Sequence, residues 1–297
     1  MSTLGDLREQ LAFQAYRAVA GLSRALPERS ARTLFDLMGR ASHALLPGLR
    51  ATVAANQAQV LGLPPQHPMV RASTLEAFRL YARYWAQTFR FPQLSDEETL
   101  ARTPVTGYEH VEQAFARGAG VICVLPHLGN WDVGGRYMWA RGHSVVSVAE
   151  ELRPSQLFEL FLSHREALGM EILGLSSEGQ VGRRLARRLE ENRMVALVAD
   201  RDLGGRGIEV EMFGRTRRLP AGPALLSLTT GAPILVTPTY QTAGGWRIVF
   251  GAPLRIEPTG NRRRDVETLT RLIGAEFERA ISAAPADWHL FQPGWEP

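Results

Sequence analysis

The sequence predicts an α/β fold, with a mainly parallel central sheet flanked by helices and a helical N-terminal third. Over residues 4–90, apolar side chains recur every three or four positions, as on one face of a helix. From about residue 105, short apolar runs alternate with segments of helical period, which is typical of a parallel sheet covered by helices. No repeat or flexible linker separates the two parts. We therefore expect one domain over 1–297, with a helical part at 1–100 and an α/β core at 101–297.

Local patterns divide each part into elements. Pro64, Pro65 and Pro68 separate one N-terminal helix from the next, and residues 96–103 form a polar connection into the core. The predicted strands are the apolar runs at 121–125, 144–148, 171–173, 195–199, 233–240 and 246–250. The predicted core helices span 133–140, 155–168, 179–191, 223–230 and 264–282.

Composition excludes several classes of protein. A single cysteine, Cys123, allows no intrachain disulfide and no Cys/His cluster of zinc spacing, so we expect no metal and a reducing setting. All 34 basic residues are arginine, as GC-rich codon usage produces, and the net charge of +4 suggests no nucleic-acid partner. Arginine clusters at 183–188 and 215–218 could still meet phosphate groups. With no secretory signal and no spanning segment of roughly eighteen apolar residues, we expect a soluble or peripheral protein.

The segment LPHLGNWD, residues 125–132, passes from a predicted strand into a helix. Asn130 followed by Asp132 resembles a helix N-cap with an acidic first turn. His127 would lie beside the positive end of that helix, which favours a neutral imidazole able to accept a proton. If Asp132 folds back onto one ring nitrogen, it fixes the tautomer of a general base. The alternative is an ordinary strand-end histidine followed by a helix-start charge.

Common catalytic signatures are missing from the sequence. It has no GxSxG elbow, no phosphate-binding GxxxxGK[ST] loop and no HExxH motif. Cys123 lies inside an apolar strand, where a buried thiol is the usual interpretation. A base without a protein nucleophile suggests that the substrate supplies the attacking group. A second acidic cluster, Asp200 and Asp202, follows the strand at 195–199, although Asp202 before two glycines is better interpreted as a turn residue.

Several longer motifs carry a family resemblance through nearly the whole chain. They are PHLGNWD at 126–132, ARYW at 82–85, HREALG at 164–169, ADRDLGGRGIEVEMFG at 199–214, RLPAGPALLSLTTGAP at 218–233 and PADWHLFQPGW at 285–295. Together they resemble the bacterial lysophospholipid-type acyltransferase superfamily. Within it, the sequence is most similar to the actinobacterial phosphatidylinositol mannoside acyltransferases, and the lipid A late acyltransferases are more distant.

The resemblance implies transfer of a long acyl chain, typically palmitoyl, from acyl-CoA to a mannose hydroxyl of phosphatidylinositol mannoside. His127 would take the hydroxyl proton and Asp132 would orient His127, with no covalent intermediate and no cofactor beyond acyl-CoA as co-substrate. Asp200 matches an acidic position that contacts the acceptor, although we expect glutamate in the mannoside branch. Arg165 and Glu150 are substrate-binding candidates by the same resemblance.

The lipid substrates imply an apolar groove and a membrane surface. Candidates for lining the groove are Tyr81, Tyr84, Trp85, Phe89, Met138 and Trp139. We expect peripheral binding to an anionic membrane at the cytoplasmic face of the plasma membrane, with residues 4–26 as the docking segment.

Three other functions remain open from the sequence. The first is a lipid A type acyltransferase, and the second is a lipid-binding protein without turnover. The third is a metal-dependent hydrolase that uses His127, Asp132, Asp200 and Asp202.

Overall fold

The computed structural model describes residues 4–150, 154–175 and 180–295, apart from the side chains of 4–9, 11 and 12. The helices of the N-terminal part are α1 (Leu4–Ala25), α2 (Glu28–Leu45), α3 (Pro47–Leu61) and α4 (Pro68–Arg90). Helix α4 packs against the other three and therefore organises this part. The predicted proline break is confirmed, because α3 stops before Gly62 at φ +63° and Pro68 opens α4, where its missing N–H costs nothing.

The helices of the rest of the chain are α5 (Asp96–Arg102), α6 (Tyr108–Ala116), α7 (Asp132–Ala140), α8 (Ser155–Glu166), α9 (Val181–Glu190), α10 (Gly222–Thr230) and α11 (Arg262–Ala283). The strands are β1 (Val105–Thr106), β2 (Val121–Leu125), β3 (Val145–Ala149), β4 (Met170–Gly174), β5 (Met194–Val198), β6 (Ile208–Met212), β7 (Arg215–Leu219), β8 (Ile234–Val236), β9 (Thr239–Gln241) and β10 (Trp246–Val249). Two short 3-10 helices span Phe91–Gln93 and Pro285–Asp287.

The central sheet has five parallel strands in the order β4-β3-β5-β2-β8, which confirms the predicted α/β fold class. All of β2 is buried, and its side chains alternate between two apolar clusters on opposite faces. Ile122 and Val124 face one cluster, whereas Cys123 faces the other. The continuous apolar runs in the sequence thus reflect strands covered on both faces.

Several regions differ from the prediction. The apolar run at 233–240 is not one strand, because Thr237 and Pro238 separate β8 from β9, and β9 joins β10 and β1 in a second sheet. The hairpin of β6 and β7 was not predicted, because its exposed positions carry charges such as Glu209 and Arg218. Its two-residue turn places Phe213 and Gly214 at positive φ, as tight hairpins require.

The residues at 96–103, predicted as a connection, instead form α5, which Ser95 and Glu98 start with a capping box. Within the part of the chain that the structure describes, no helix is long and apolar enough to cross a membrane.

Candidate functional site

The loop between β2 and α7 carries His127 and is held from both sides. The backbone N–H of His289 donates to the carbonyl of His127 at 2.7 Å, and the N–H of Gly129 donates to the carbonyl of Asp287 at 2.9 Å. Gly129 has φ +62°, and a Cβ there would lie 2.3 Å from the carbonyl oxygen of Thr239. The C-terminal segment therefore fixes the backbone of this loop, and only glycine fits at its tightest point.

Parallel strand register brings His127 beside Asp200. Leu125 of β2 pairs with Val198 of β5, so the residues two positions beyond each strand end lie next to each other. Nδ1 of His127 lies 2.5 Å from Oδ1 of Asp200. Asp200 is fully buried, whereas the His127 side chain keeps 21% exposure. The imidazole is thus the member of the pair that a substrate can reach.

The surroundings of Asp200 favour its ionised form. Burial by itself would raise the pKa of Asp200. The charge of His127 and its hydrogen bond to Asp200, together with the charge of Arg217 and the hydrogen bond from Trp288, lower that pKa below the usual range. The indole Nε1 of Trp288 donates to Oδ2 of Asp200 at 2.8 Å, and Arg217 donates to the backbone carbonyl of Asp200. An ionised carboxylate only accepts hydrogen bonds, so Nδ1 of His127 carries the proton and Nε2 is left as the basic nitrogen.

The expected contact between Asp132 and His127 is wrong. Asp132 is the first residue of α7, and its Oδ1 accepts a hydrogen bond from Nε of Arg165 at 2.9 Å. Its Oδ2 lies 3.4 Å from the hydroxyl of Tyr84. Helix α7 directs the Asp132 carboxylate towards α4 and α8. Asp200, and not Asp132, is therefore the residue that contacts Nδ1 of His127.

The group around Asp132 is a buried charge cluster next to the catalytic candidates. Burial would lower the pKa of Arg165, but Asp132 and Tyr84 raise it, so the guanidinium stays charged. Burial, followed by the charge of Asp132, raises the pKa of Tyr84 well above its ordinary value, which keeps the phenol protonated. Tyr84 also packs on Trp131 at 4.6 Å between ring centroids, and Trp131 meets the edge of His127 at 5.1 Å. Asp132 and Arg165 therefore support the aromatic wall beside His127.

Three other polar predictions have different outcomes. Asn130 does not cap α7, because Trp131 is the N-cap and the Asn130 amide instead faces α4, donating to the carbonyl of Tyr84 at 3.3 Å. Asp202 is a turn residue as preferred, since its carboxylate accepts from the N–H groups of Gly204 and Gly207. Glu150 is exposed directly after β3, at the same edge of the sheet as Asp200, and its contact with an acceptor stays a prediction.

The structure gives little support to metal or cysteine chemistry. Among the described residues, no group of three His, Cys, Asp or Glu side chains could hold a metal ion. Asp132 is engaged by Arg165 and Asp202 by turn amides, so the two do not converge on His127. Burial raises the pKa of the Cys123 thiol to about 12, with Thr237 opposing, so the thiol stays protonated at neutral pH.

Two residues that support the site were missed in the sequence. Trp288 lies in the C-terminal motif, and the sequence pattern gives no sign that its indole bonds Asp200 across 88 positions. The sequence does contain a signal for Arg217, because Arg217 lies two positions before Leu219 and therefore shares the buried face of β7. Its guanidinium lies over the rings of Trp288 and Trp295, 5.2 and 5.6 Å from their centroids. Burial lowers the pKa of Arg217, with Asp200 opposing.

An apolar groove of about 330 Å³ opens among the N-terminal helices. It is lined by Tyr16, Val19, Phe35, Met38, Leu46, Leu49, Phe78, Tyr81, Trp85 and Phe291, among others. Two of the expected lining residues, Tyr81 and Trp85, are present. Tyr84 and Phe89 are buried beside the groove, whereas Met138 lies in the core under the sheet and Trp139 is half exposed. Tyr81 stacks near Tyr84, Tyr84 packs at a tilt on Trp131, and Trp131 contacts His127. These rings connect the groove wall to His127.

The chain is similar to known acyltransferases over nearly all of its length. Residues 6–296 match the family described as bacterial lipid A biosynthesis acyltransferase. The chain is 39% identical over 290 residues to a phosphatidylinositol mannoside acyltransferase of Mycobacterium tuberculosis, covering 95% of this chain and 87% of that protein.

Two further relatives differ in distance. A phosphatidylinositol mannoside acyltransferase of Mycolicibacterium smegmatis is 35% identical over 285 residues, which are 94% of this chain and 90% of that protein. A lipid A biosynthesis acyltransferase of Haemophilus influenzae is 25% identical over 190 residues, which are 63% of this chain and 57% of that protein.

Proposed function

Because the chain belongs to the bacterial lipid A biosynthesis acyltransferase family and is an acyltransferase, we propose that it transfers a long acyl group, palmitoyl by resemblance, from acyl-CoA to a mannose hydroxyl of phosphatidylinositol mannoside. The mycobacterial relatives, which are phosphatidylinositol mannoside acyltransferases and match most of the chain, support this acceptor. The observation that carries the mechanism is the 2.5 Å contact between the partly exposed imidazole of His127 and the buried Asp200.

The proposed reaction uses Nε2 of His127 as a general base. As the mannose oxygen bonds to the thioester carbonyl carbon, its proton moves to Nε2, and Asp200 stabilises the imidazolium that forms. The C–S bond then breaks, and the coenzyme A sulfur leaves with the proton returned by Nε2. The atoms balance without a covalent acyl-enzyme and without a cofactor.

The apolar groove fits the acyl chain. Each buried methylene contributes about 0.8 kcal/mol, so a sixteen-carbon chain is held mainly by its tail. The groove is lined by aromatic and aliphatic side chains and is linked to His127 through Tyr81, Tyr84 and Trp131. Arg165 and Glu150 remain proposed substrate-binding residues, and Nε of Arg165 is held in place by Asp132.

Binding to the cytoplasmic face of an anionic plasma membrane completes the proposal. One face of α1 packs on α4, with Ser23 donating to the carbonyl of Ala86 at 2.6 Å. Among the described residues of α1, Arg17, Leu22 and Arg24 are exposed and are proposed to meet the membrane, whereas the side chains of 4–9, 11 and 12 lie outside the described residues. The groove adds apolar surface, because its lining residues Met38 and Leu46 are 38% and 47% exposed. Sedimentation with vesicles containing phosphatidylinositol, at low and high salt, tests this docking. Failure to bind any vesicle contradicts it.

The test of the reaction is mass spectrometry of the product from palmitoyl-CoA and phosphatidylinositol mannoside, together with release of free thiol. His127→Ala should remove the base while the groove remains and lower turnover about 10²- to 10⁴-fold. The matched control is His143→Ala, because His143 stacks on Phe115 and precedes β3 at the opposite edge of the sheet. Near-normal turnover by His127→Ala would contradict the mechanism. Palmitate transfer only to a lipid A precursor would contradict the proposed acceptor.

A further inference from the structure

A second cavity, of about 640 Å³, lies next to Asp200 and is rich in arginine. Its charged lining residues are Arg201, Asp202, Glu209, Arg215, Arg217 and Arg218. Four arginines face two carboxylates there. Both carboxylates already have partners, since Asp202 accepts from turn amides and Glu209 pairs with Arg218 at 2.9 Å. The cavity therefore carries excess positive charge.

The buried member of this group is Arg217, which is 7% exposed. Its Nη2 donates to the backbone carbonyl of Asp200, whereas its Nη1 is buried with no hydrogen-bond partner in the described part of the chain. Gly294 lies in front of it, and a Cβ there would approach Nη1 to 3.2 Å. A charged donor held unpaired in a core position costs free energy of folding, and an anionic ligand bound to it would offset that cost.

We propose that this arginine-lined cavity binds the phosphate groups at the nucleotide end of the acyl-CoA donor. This inference rests on the proposed function. Arginine binds phosphate through two parallel N–H donors, and several arginines suit a ligand with several phosphates. Coenzyme A carries a diphosphate and a phosphomonoester, whereas the phosphodiester of the acceptor lipid carries a single charge.

The position of the cavity agrees with a donor that spans both spaces. Phe291 lines the apolar groove and the next residue, Gln292, lines the arginine-lined cavity. Arg201 follows Asp200 directly, and the cavity is thus adjacent both to the acyl groove and to the catalytic pair. One molecule with an apolar tail, a central thioester and a phosphorylated end would meet all three.

The experiment measures binding by calorimetry, with coenzyme A, dephospho-coenzyme A and pantetheine as probes. Arg201→Gln and Arg215→Gln are the test variants, because neither side chain is fully buried and both are expected to fold. Arg187→Gln is the matched control, since Arg187 is 77% exposed on α9 and pairs only weakly with Glu191 at 3.5 Å. Each test variant should bind coenzyme A about tenfold more weakly, because a charge-assisted hydrogen bond to phosphate is lost. Pantetheine binding should not change.

Unchanged affinity for coenzyme A in both test variants, or an equal loss for pantetheine, overturns the proposal. Turnover distinguishes the two possible sources of phosphate. A rise in KM for palmitoyl-CoA alone supports the donor, whereas a rise in KM for the mannoside alone assigns the cavity to the lipid phosphodiester and overturns it. A protein that shows the expected binding pattern yet acylates no mannoside supports the cavity assignment and contradicts only the proposed function.

Discussion

Asp132 and Arg165 form an ion pair of 2.9 Å in which the carboxylate is almost fully buried, with 1% of its side chain exposed. The pair joins the start of α7 to α8, and Tyr84 of α4 approaches the same carboxylate. Three elements thus meet at one charge pair beside the aromatic wall of His127. Its members reach His127 through the packing of Tyr84 and Trp131 and not through a hydrogen bond.

Asp132→Asn should therefore destabilise the fold more than it changes the chemistry. The substitution leaves the buried Arg165 charge without its counterion, which costs about 3 kcal/mol in the free energy of unfolding. Urea denaturation measures this cost. Glu191→Gln is the control, because its pairs with Arg187 and Arg188 are exposed and contribute less than about 1 kcal/mol. A variant of native stability whose pH–rate profile is shifted would mean that Asp132 touches His127 after all.

Asp200→Asn should lower kcat by about 10²- to 10⁴-fold. It should also cost stability, because the depressed pKa of Asp200 means that the fold stabilises its charged form. The amide can donate a hydrogen bond to Nδ1 of His127 and so stabilise the wrong tautomer, while acyl-CoA binding is kept. Asp200→Glu should retain more activity, because glutamate is what we expect at this position in the mannoside branch.

Steady-state kinetics and an acyl-CoA binding assay separate these effects of the Asp200 variants. Asp202→Asn is the control, since Asp202 accepts only from turn amides. Equal losses of turnover and acyl-CoA binding in Asp200→Asn would mark Asp200 as structural.

Trp288→Phe tests whether the indole N–H matters to Asp200. Phenylalanine keeps an aromatic ring under Arg217 but removes the donor 2.8 Å from Oδ2 of Asp200. With one donor fewer, the pKa of Asp200 should rise towards its ordinary value and the acidic limb of the pH–rate profile should move upward. The control is Trp295→Phe, because Trp295 also packs on Arg217 but makes no described bond to Asp200. Identical profiles for the two variants would leave Trp288 with a packing role alone.

Asp287→Asn should be increasingly more stable than the wild type as the pH rises from about 4 to 7. Burial raises the pKa of Asp287 from its ordinary 3.8 to about 7, with the Gln241 N–H opposing. In that window the folded wild type keeps a proton that the unfolded chain has released, so rising pH costs stability at up to about 1.4 kcal/mol per pH unit. The variant lacks this loss and can still accept from Gln241, so its advantage should grow to pH 7 and then level off.

Guanidinium denaturation of both proteins at pH 5 and pH 8 measures the difference for Asp287→Asn. His289 contributes an opposite slope, because burial lowers its pKa to about 3 and the unfolded chain binds its proton first. That contribution is common to both proteins and cancels in the comparison. A constant difference at the two pH values contradicts the prediction.

Much of the fold could be predicted because it depends on local periodicity. The run 121–125 reads as a buried strand since every side chain in it is apolar, and β2 has those bounds. The β6–β7 hairpin was missed because it lacks such a local pattern. Its outward positions are charged and Arg217 occupies an inward one, so the sequence shows no clean alternation of apolar and polar residues.

The site was predictable only in part. The sequence by itself determined that His127 and Asp200 each follow the end of a buried strand, because strand ends are marked by where the apolar runs stop. Only the tertiary structure decided that β5 lies beside β2, which places Asp200, and not the nearby Asp132, on the imidazole. Sheet order, and the return of the C-terminal Trp288 to Asp200, depend on how distant segments pack. Such long-range pairing is a property of the whole chain, and no local pattern of side chains encodes it.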